Sequence, residues 1–333
     1  MTFEELYNRL LKSGVNGTLP QELDLLRQQG YDPHHLSCLL HPEKHPVVIR
    51  TDACLCQGEQ MEKCRARCYF DALFVENGSV EIDPVACVGC GDCVRGCDAK
   101  KLTESRDILP TLNALRNADA PVYAMIAPAF INQYSEAVTP GKLREAFKKI
   151  GFAGMLEVAL FADILTLKEA LEFDHNIQTE KDYQLTSCCC PMWIGMIRKV
   201  YAQLIPHVPA AVSPMVACGR SIKKIHPNAV TVFIGPCVAK KAEAREADIS
   251  DSTDFVLTFQ EIQDVFDYSG INLAEMEEDE RDHSSKAGRI YAGAGGVSEA
   301  VRATVERINP SKQISVKTRH ADGVPACKQM LND

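Results

Sequence analysis

Eight of the chain's fifteen cysteines crowd between Cys54 and Cys97. They run Cys54-x-Cys56-x7-Cys64-x3-Cys68, then Cys87-x2-Cys90-x2-Cys93-x3-Cys97. In the second set three closely spaced thiolates can wrap one metal cluster, while the fourth, beyond a longer gap, reaches a neighbouring one. That is the chemistry of a 4Fe–4S cubane, an electron carrier. Zinc sites usually take two cysteine pairs set farther apart, which this run does not match. Glycines 89, 91 and 96 leave room for backbone amides to approach and hydrogen-bond the sulfides. The first set keeps the Cys-x3-Cys ending but alters both earlier gaps, and neither set ends in Cys-Pro. If the fourth thiolate of each set crosses to the other cluster, one cubane takes Cys54, Cys56, Cys64 and Cys97. The other takes Cys87, Cys90, Cys93 and Cys68.

Short elements must position these thiolates. Ser79-Val80-Glu81-Ile82 alternates and reads as a strand within a small cysteine-rich domain over 51–103. Residues 1–50 read as a helical segment: Phe3, Leu6, Leu10 and Leu11 recur at helical spacing until Gly14 and Gly17 break it. The spacings of His34, His35, His41 and His45 match no compact site, so they read as surface or turn histidines. Cys38, Cys218 and Cys327 read as small buried hydrophobes, and Trp193 as core. From about residue 120 strands and helices alternate. Val122–Ile126, Val230–Ile234 and Arg289–Ala292 are strand candidates, and Thr139 caps a helix that opens on Pro140. This succession predicts an α/β core with a parallel sheet, preceded by the small α+β two-cluster domain. The acidic run Glu275–Asp282 reads as a solvated surface insertion.

The whole-chain balance narrows the function. Net charge is −9 with no basic stripe, which argues against nucleic acid. No apolar run reaches the roughly 20 residues of a membrane span. The opening Met1-Thr2-Phe3-Glu4-Glu5 is unlike a signal peptide's basic start, and fifteen thiols suit a reducing compartment, so a cytoplasmic address is expected. A redox partner protein, a ferredoxin or similar, fits an acidic electron carrier.

A second constellation lies in the α/β region: Thr186-Ser187-Cys188-Cys189-Cys190-Pro191-Met192-Trp193, and Gly235-Pro236-Cys237-Val238-Ala239-Lys240-Lys241-Ala242-Glu243. These resemble the first two active-site motifs of the iron-only (FeFe) hydrogenases. The resemblance spans roughly 51–333, because a two-cluster ferredoxin-like domain ahead of this core is also that family's arrangement. Ile126-Ala127-Pro128-Ala129, Phe161-Ala162-Asp163 and Gly295-Gly296-Val297-Ser298-Glu299-Ala300 are similar too. The resemblance implies an H-cluster, a cubane joined through one cysteine to a diiron unit carrying CO and cyanide, with Ala127 and Pro128 beside it. It makes Cys190 and Cys237 cubane ligands, Lys240 the donor to a cyanide, and Cys189 a proton relay beside the distal iron. The triple cysteine leaves a second register open, in which Cys188 and Cys189 are the pair. Glu169 and Glu172 match the family's relay glutamates and share a helix face; read alone, they and Lys240 and Lys241 would be ordinary solvated side chains.

Two departures shape the expectation. The family's third motif, a Cys-x3-Cys pair in a glycine-rich setting, does not occur before Asp333, so the domain 104–333 is expected to be incomplete at its carboxyl end. Where the family often has a relay serine, the chain reads Pro209-Ala210-Ala211-Val212. The implied activity is reversible hydrogen oxidation and proton reduction. The alternative is a hydrogen- or redox-sensing or iron–sulfur binding module without turnover, serving a regulatory partner.

Overall fold

The computed structural model describes residues 1–54, 56–186, 189–281, 284–312 and 316–333. Its centre is a four-stranded sheet, and all three pairings in it are parallel. In chain order the described strands are β1 (Val48–Arg50), β2 (Leu73–Glu76), β3 (Ser79–Ile82), β4 (Leu102–Glu104), β5 (Val122–Ile126), β6 (Gly154–Glu157), β7 (Val230–Gly235) and β8 (Phe255–Thr258). The central sheet runs β6-β5-β7-β8. Its inner strands are near-continuous apolar runs because helices cover both faces, and Ala124, Met125, Ile126, Val232 and Ile234 are fully buried. Chain order reverses between β5 and β7, and in such open sheets ligands gather at the carboxyl ends of the strands beside that switch point.

Local chemistry sets the helices. Thr139 accepts from the Lys142 amide at 3.2 Å, and Pro140 opens the helix Pro140–Lys149, as the sequence predicts. Ser213 caps Pro214–Ile225, which packs against β5, β7 and the long helix Ala159–Asn176. The amino-terminal helix Phe3–Asn16 buries Leu6, Leu10 and Leu11 in the same core as the sheet. Gly14 does not break that helix; it sits in the last turn against Leu112, and Gly17, in the left-handed region, ends it.

The cysteine-rich segment forms two small antiparallel sheets, β1 with β4 and β2 with β3. Their shared core is thin: Val48, Leu73, Val80, Ile82 and Leu102, with cysteines filling the rest.

Three further expectations change. Arg289–Ala292 is not a strand, because Ser285 caps a helix Lys286–Ile290 in that place. Gly288 lies so close to the Ala159 backbone that a Cβ would sit 2.2 Å from its carbonyl oxygen. The Arg289 guanidinium is held by both oxygens of Glu157, at 2.8 and 2.9 Å, so tertiary contacts override a short β-prone run. In the acidic run, Asp279 is tucked against Arg144, Lys148 and Arg281 rather than solvated; Asp282 lies outside the described residues. His35 is buried, its ring on the Thr51 carbonyl, and is not a surface histidine.

Candidate functional site

The cysteines of 51–103 fall into two groups, told apart by which thiols act electrostatically on which. Cys56 responds to Cys54 and Cys97, and Cys64 to Cys97, Cys54 and Cys56. Beyond burial, Cys87 responds to Cys90 and Cys68, and Cys93 to Cys87, Cys90 and Cys68 and more weakly to Cys64. Cys54, Cys56, Cys64 and Cys97 thus lie near one another. Cys68, Cys87, Cys90 and Cys93 line a single cavity with Leu73 and Ile82. The last cysteine of each set is held alike: the Ala72 amide donates to Cys68 Sγ and the Lys101 amide to Cys97 Sγ, both at 3.3 Å. Burial pushes the Cys87 thiol up to about 11 and Cys93 to about 12. Soft donors, an enclosed cavity and amides aimed at sulfur fit a cluster that replaces these protons with iron.

The second constellation sits at the carboxyl ends of the two central strands. The Ala127 amide, just past β5, donates to the Ile234 carbonyl at 2.8 Å, bringing Ala127 and Pro128 beside the Gly235-Pro236-Cys237 turn. A side chain at Gly235 would meet Phe233 at 2.7 Å and Ala127 at 3.0 Å, so the two strand ends close tightly. Burial raises the Cys237 thiol, partly offset by the Ala239 amide, which opens the short helix Ala239–Ala244 and points at the sulfur. Cys190 precedes Pro191 at the start of the helix Pro191–Val200, close enough to Cys237 to disfavour that thiol's ionisation. Trp193 is core, as expected, and its indole N–H donates to the Thr186 carbonyl at 3.0 Å, fastening the cysteine turn. Cys188 lies outside the described residues, so the alternative register falls there.

Lys240 is 7% exposed, with its ammonium 2.6 Å from Glu243 Oε2. Burial opposes its charge, but Glu243, Cys189 and Cys237 outweigh that and hold its pKa above the ordinary lysine value. A fixed buried cation between two thiols suits an anionic ligand. Glu243 escaped the sequence reading as a partner, although its position three residues after Lys240 was a usable signal.

Glu169 and Glu172 lie on Ala159–Asn176 with different fates. Glu169 is wholly buried, which removes the reading of a solvated face. Glu172 is half-buried, and its Oε1 accepts from the Ala210 amide at 3.3 Å, within the segment that lacks the serine. Cys38 and Cys218 are buried as expected; Cys327 is only half-buried, not the buried hydrophobe expected, and lies near Cys190.

The two constellations meet backbone to backbone. Gly89, at φ +68°, lies where a Cβ would be 3.0 Å from Ala239 Cα and 3.2 Å from the Val238 carbonyl oxygen. Val88 packs on Gly195, and Lys199 Nζ donates to the Val85 and Ala86 carbonyls at 2.8 Å. Cys68 and Cys90 share one apolar cluster with Cys190, around Phe70, Trp193 and Val88. The Cys87–Cys93 loop is thus seated on the turn that presents Cys237 and Lys240.

Residues 120–332 match the family model described as iron only hydrogenase large subunit, C-terminal domain. The chain is 28% identical over 222 residues to Iron hydrogenase 1 of Clostridium pasteurianum, covering 60% of this chain and 39% of that protein. It is 28% identical over 308 residues to the periplasmic [Fe] hydrogenase large subunit of Nitratidesulfovibrio vulgaris, covering 75% and 73%. A variant of the [FeFe]-hydrogenase HydA1 from Chlamydomonas reinhardtii superposes with a TM-score of 0.50 at 28% identity, covering 66% of this chain and 62% of that one. The chain thus spans from 39% to 73% of the length of these relatives. Among the described residues no helix is long and apolar enough to cross a membrane. The matched segment takes in the β5–β8 sheet together with the Cys190 and Cys237 turns, and the chain belongs to the iron-only hydrogenase large-subunit family.

Proposed function

We propose that this chain is an oxidoreductase of the FeFe hydrogenase kind, passing electrons through two 4Fe–4S clusters in 51–103 to a core in 104–333 built for reversible hydrogen oxidation and proton reduction. One observation carries the reading: the Cys87–Cys93 loop rests on the Val238–Ala239 backbone beside Cys237 and Lys240. A cluster in the Cys68–Cys93 cavity then has a short, dry route to the core. The assigned ligands are Cys54, Cys56, Cys64 and Cys97 for one cubane and Cys68, Cys87, Cys90 and Cys93 for the other, with Cys190 and Cys237 at the core. Cys190 and Cys237 would supply two of the cysteines that hold an H-cluster's cubane, the third-motif Cys-x3-Cys pair being absent from this sequence; that group, when bound, would supply the hydrogen chemistry itself.

The chain's own groups orient and protonate. Lys240, pinned by Glu243, offers N–H donors to an anionic iron ligand, and Ala127, buried, lies with Pro128 beside the Cys237 turn. Cys189 hands protons between the site and Glu169, and Glu172 carries them outward. The electron partner is a redox protein, and a reducing cytoplasm belongs to the same reading. A sensing role with little turnover is favoured by one detail. Glu172 meets the Ala210 amide, whereas a hydroxyl there would pass a proton on.

The test is anaerobic reconstitution with iron and sulfide. About eight irons per chain are expected from the two cubanes, and more with the core site occupied, the excess disappearing in Cys190→Ser and Cys237→Ser. After supply of the diiron unit, infrared bands of CO and cyanide and hydrogen evolution from a reduced dye should follow. Bands without evolution select the sensing role. A colourless protein containing zinc in place of iron overturns the proposal.

A further inference from the structure

Apart from every cysteine assigned above, one side-chain cluster gathers three metal donors. His34, Cys38 and His45 place their ligand atoms within 4.8 Å of one another. We propose that these three residues bind a single cation of the zinc class, clipping the amino-terminal helices to the strand that leads into the cluster domain.

Local structure builds two corners of the site. His34 and Cys38 are four residues apart on the helix Pro33–Leu40, so their side chains stack on one face. Asp32 caps that helix at the His34 amide, at 2.8 Å. Cys38 Sγ lies 3.5 Å from His34 Nε2. With metal–sulfur and metal–nitrogen bonds of about 2.3 and 2.0–2.1 Å, two corners of a tetrahedral zinc site are also about 3.5 Å apart.

The third corner arrives through the short turn Pro42–Lys44, which folds His45 back over the helix. The rings of His34 and His45 stand edge to face with centroids 5.3 Å apart. Arg245 donates to the His45 carbonyl at 2.8 Å, and Ser37 Oγ lies 2.8 Å from His45 Nε2, so backbone and ring are both steadied. Two imidazoles and a thiolate select zinc and its neighbours over magnesium or calcium, which demand oxygen. Three donors around one point are too few for a cubane's four ligands. Cys38 is buried and His34 exposed, so the fourth position faces solvent and suits water.

The position gives the cation a task. Three residues beyond His45, β1 pairs with β4, and Thr51 at its end leads to Cys54. Holding His45 to the Pro33–Leu40 helix fixes where that strand enters the cluster domain.

The experiment loads the full, iron-reconstituted chain with Zn2+ anaerobically and removes loosely held metal with a chelator. About one zinc per chain is expected, with a zinc-edge X-ray absorption shell of one sulfur and two imidazole nitrogens. The His34→Ala and His45→Ala variants should lose that zinc while iron content and cubane EPR signals stay as in the parent. His34 is exposed, so its variant is a fair test even if Cys38→Ser, at a buried position, unfolds. Zinc retained by His34→Ala, an all-sulfur shell marking zinc lodged among the cluster cysteines, or no zinc held against the chelator would each overturn the proposal.

Discussion

Lys240 and Lys241 are adjacent, identical in chemistry and both buried, yet they do different work. Lys240 faces the thiols of the candidate site, while Lys241, 1% exposed, points away into a polar knot. There it donates to Glu261 at 2.8 and 3.0 Å and to the Ser105 carbonyl at 2.8 Å. Glu261 in turn accepts the Asp107 amide and completes the cap of the helix Phe259–Tyr268 with Thr258. Removing one partner of such a pair strands a buried charge, which costs far more than the pair itself contributes. Lys241→Met should lower unfolding stability by about 3–5 kcal/mol, measured as the denaturant midpoint at an unchanged slope. A loss under about 1 kcal/mol would mean that Glu261 is solvated in solution. The motif resemblance pointed Lys240 to the site, but no sequence feature pointed to the partners of Lys241. Successive helical side chains diverge by about 100°, and only packing decides what each one meets.

Among elements, the seat between the cluster loop and the Cys237 turn makes the sharpest demand. Gly89 and Gly78 both have positive φ, +68° and +75°, but a Cβ at Gly78 would have nothing within 4 Å, whereas one at Gly89 would meet the Ala239 backbone. Gly78→Ala should therefore cost only the backbone term, about 1–2 kcal/mol. Gly89→Ala should add about 1–3 kcal/mol of overpacking and slow electron delivery from the cubanes to any core acceptor. Equal destabilisation by the two substitutions would show that the seat is looser than its geometry. The glycine-rich spacing made an open cysteine loop legible, because thiolates so close along the chain need tight turns. That the open space is filled by the backbone of a segment as distant in sequence as Val238 and Ala239 was not legible.

Across the whole molecule, two regions hold together by different means. The α/β core and amino-terminal helices share one extensive apolar cluster, from Leu6 and Leu10 through Met125 to Phe266. The cluster domain buries few apolar side chains of its own, with half-buried cysteines completing its interior. On the proposed reading so thin a core would depend on bound metal, since binding free energy becomes folding free energy. Stripping iron with a chelator under reducing conditions should speed amide hydrogen exchange across 51–104 and in the docked helix Pro191–Val200, while β5 and β7 stay protected. Uniform protection across both regions after iron loss would show that the cluster domain folds without metal.

Sequence alone determined what short range governs. The apolar run Val122–Ile126 and the Thr139-Pro140 helix start are set by nearby sterics, and these two local readings hold; the closely spaced thiolates carry the cluster assignment proposed above. Recognition of the hydrogenase-like motifs likewise needed only their order along the chain. The tertiary structure decided which distant groups meet: Cys190 with Cys237, Gly89 with Ala239, and Glu157 with Arg289, whose ion pair turned an expected strand into a helix. Such meetings depend on how apolar faces pack across the sheet, a long-range balance that no window of neighbouring residues contains. Burial followed from the same packing, and it made Glu169 and Lys240 interior groups when their sequence surroundings read as solvent-facing.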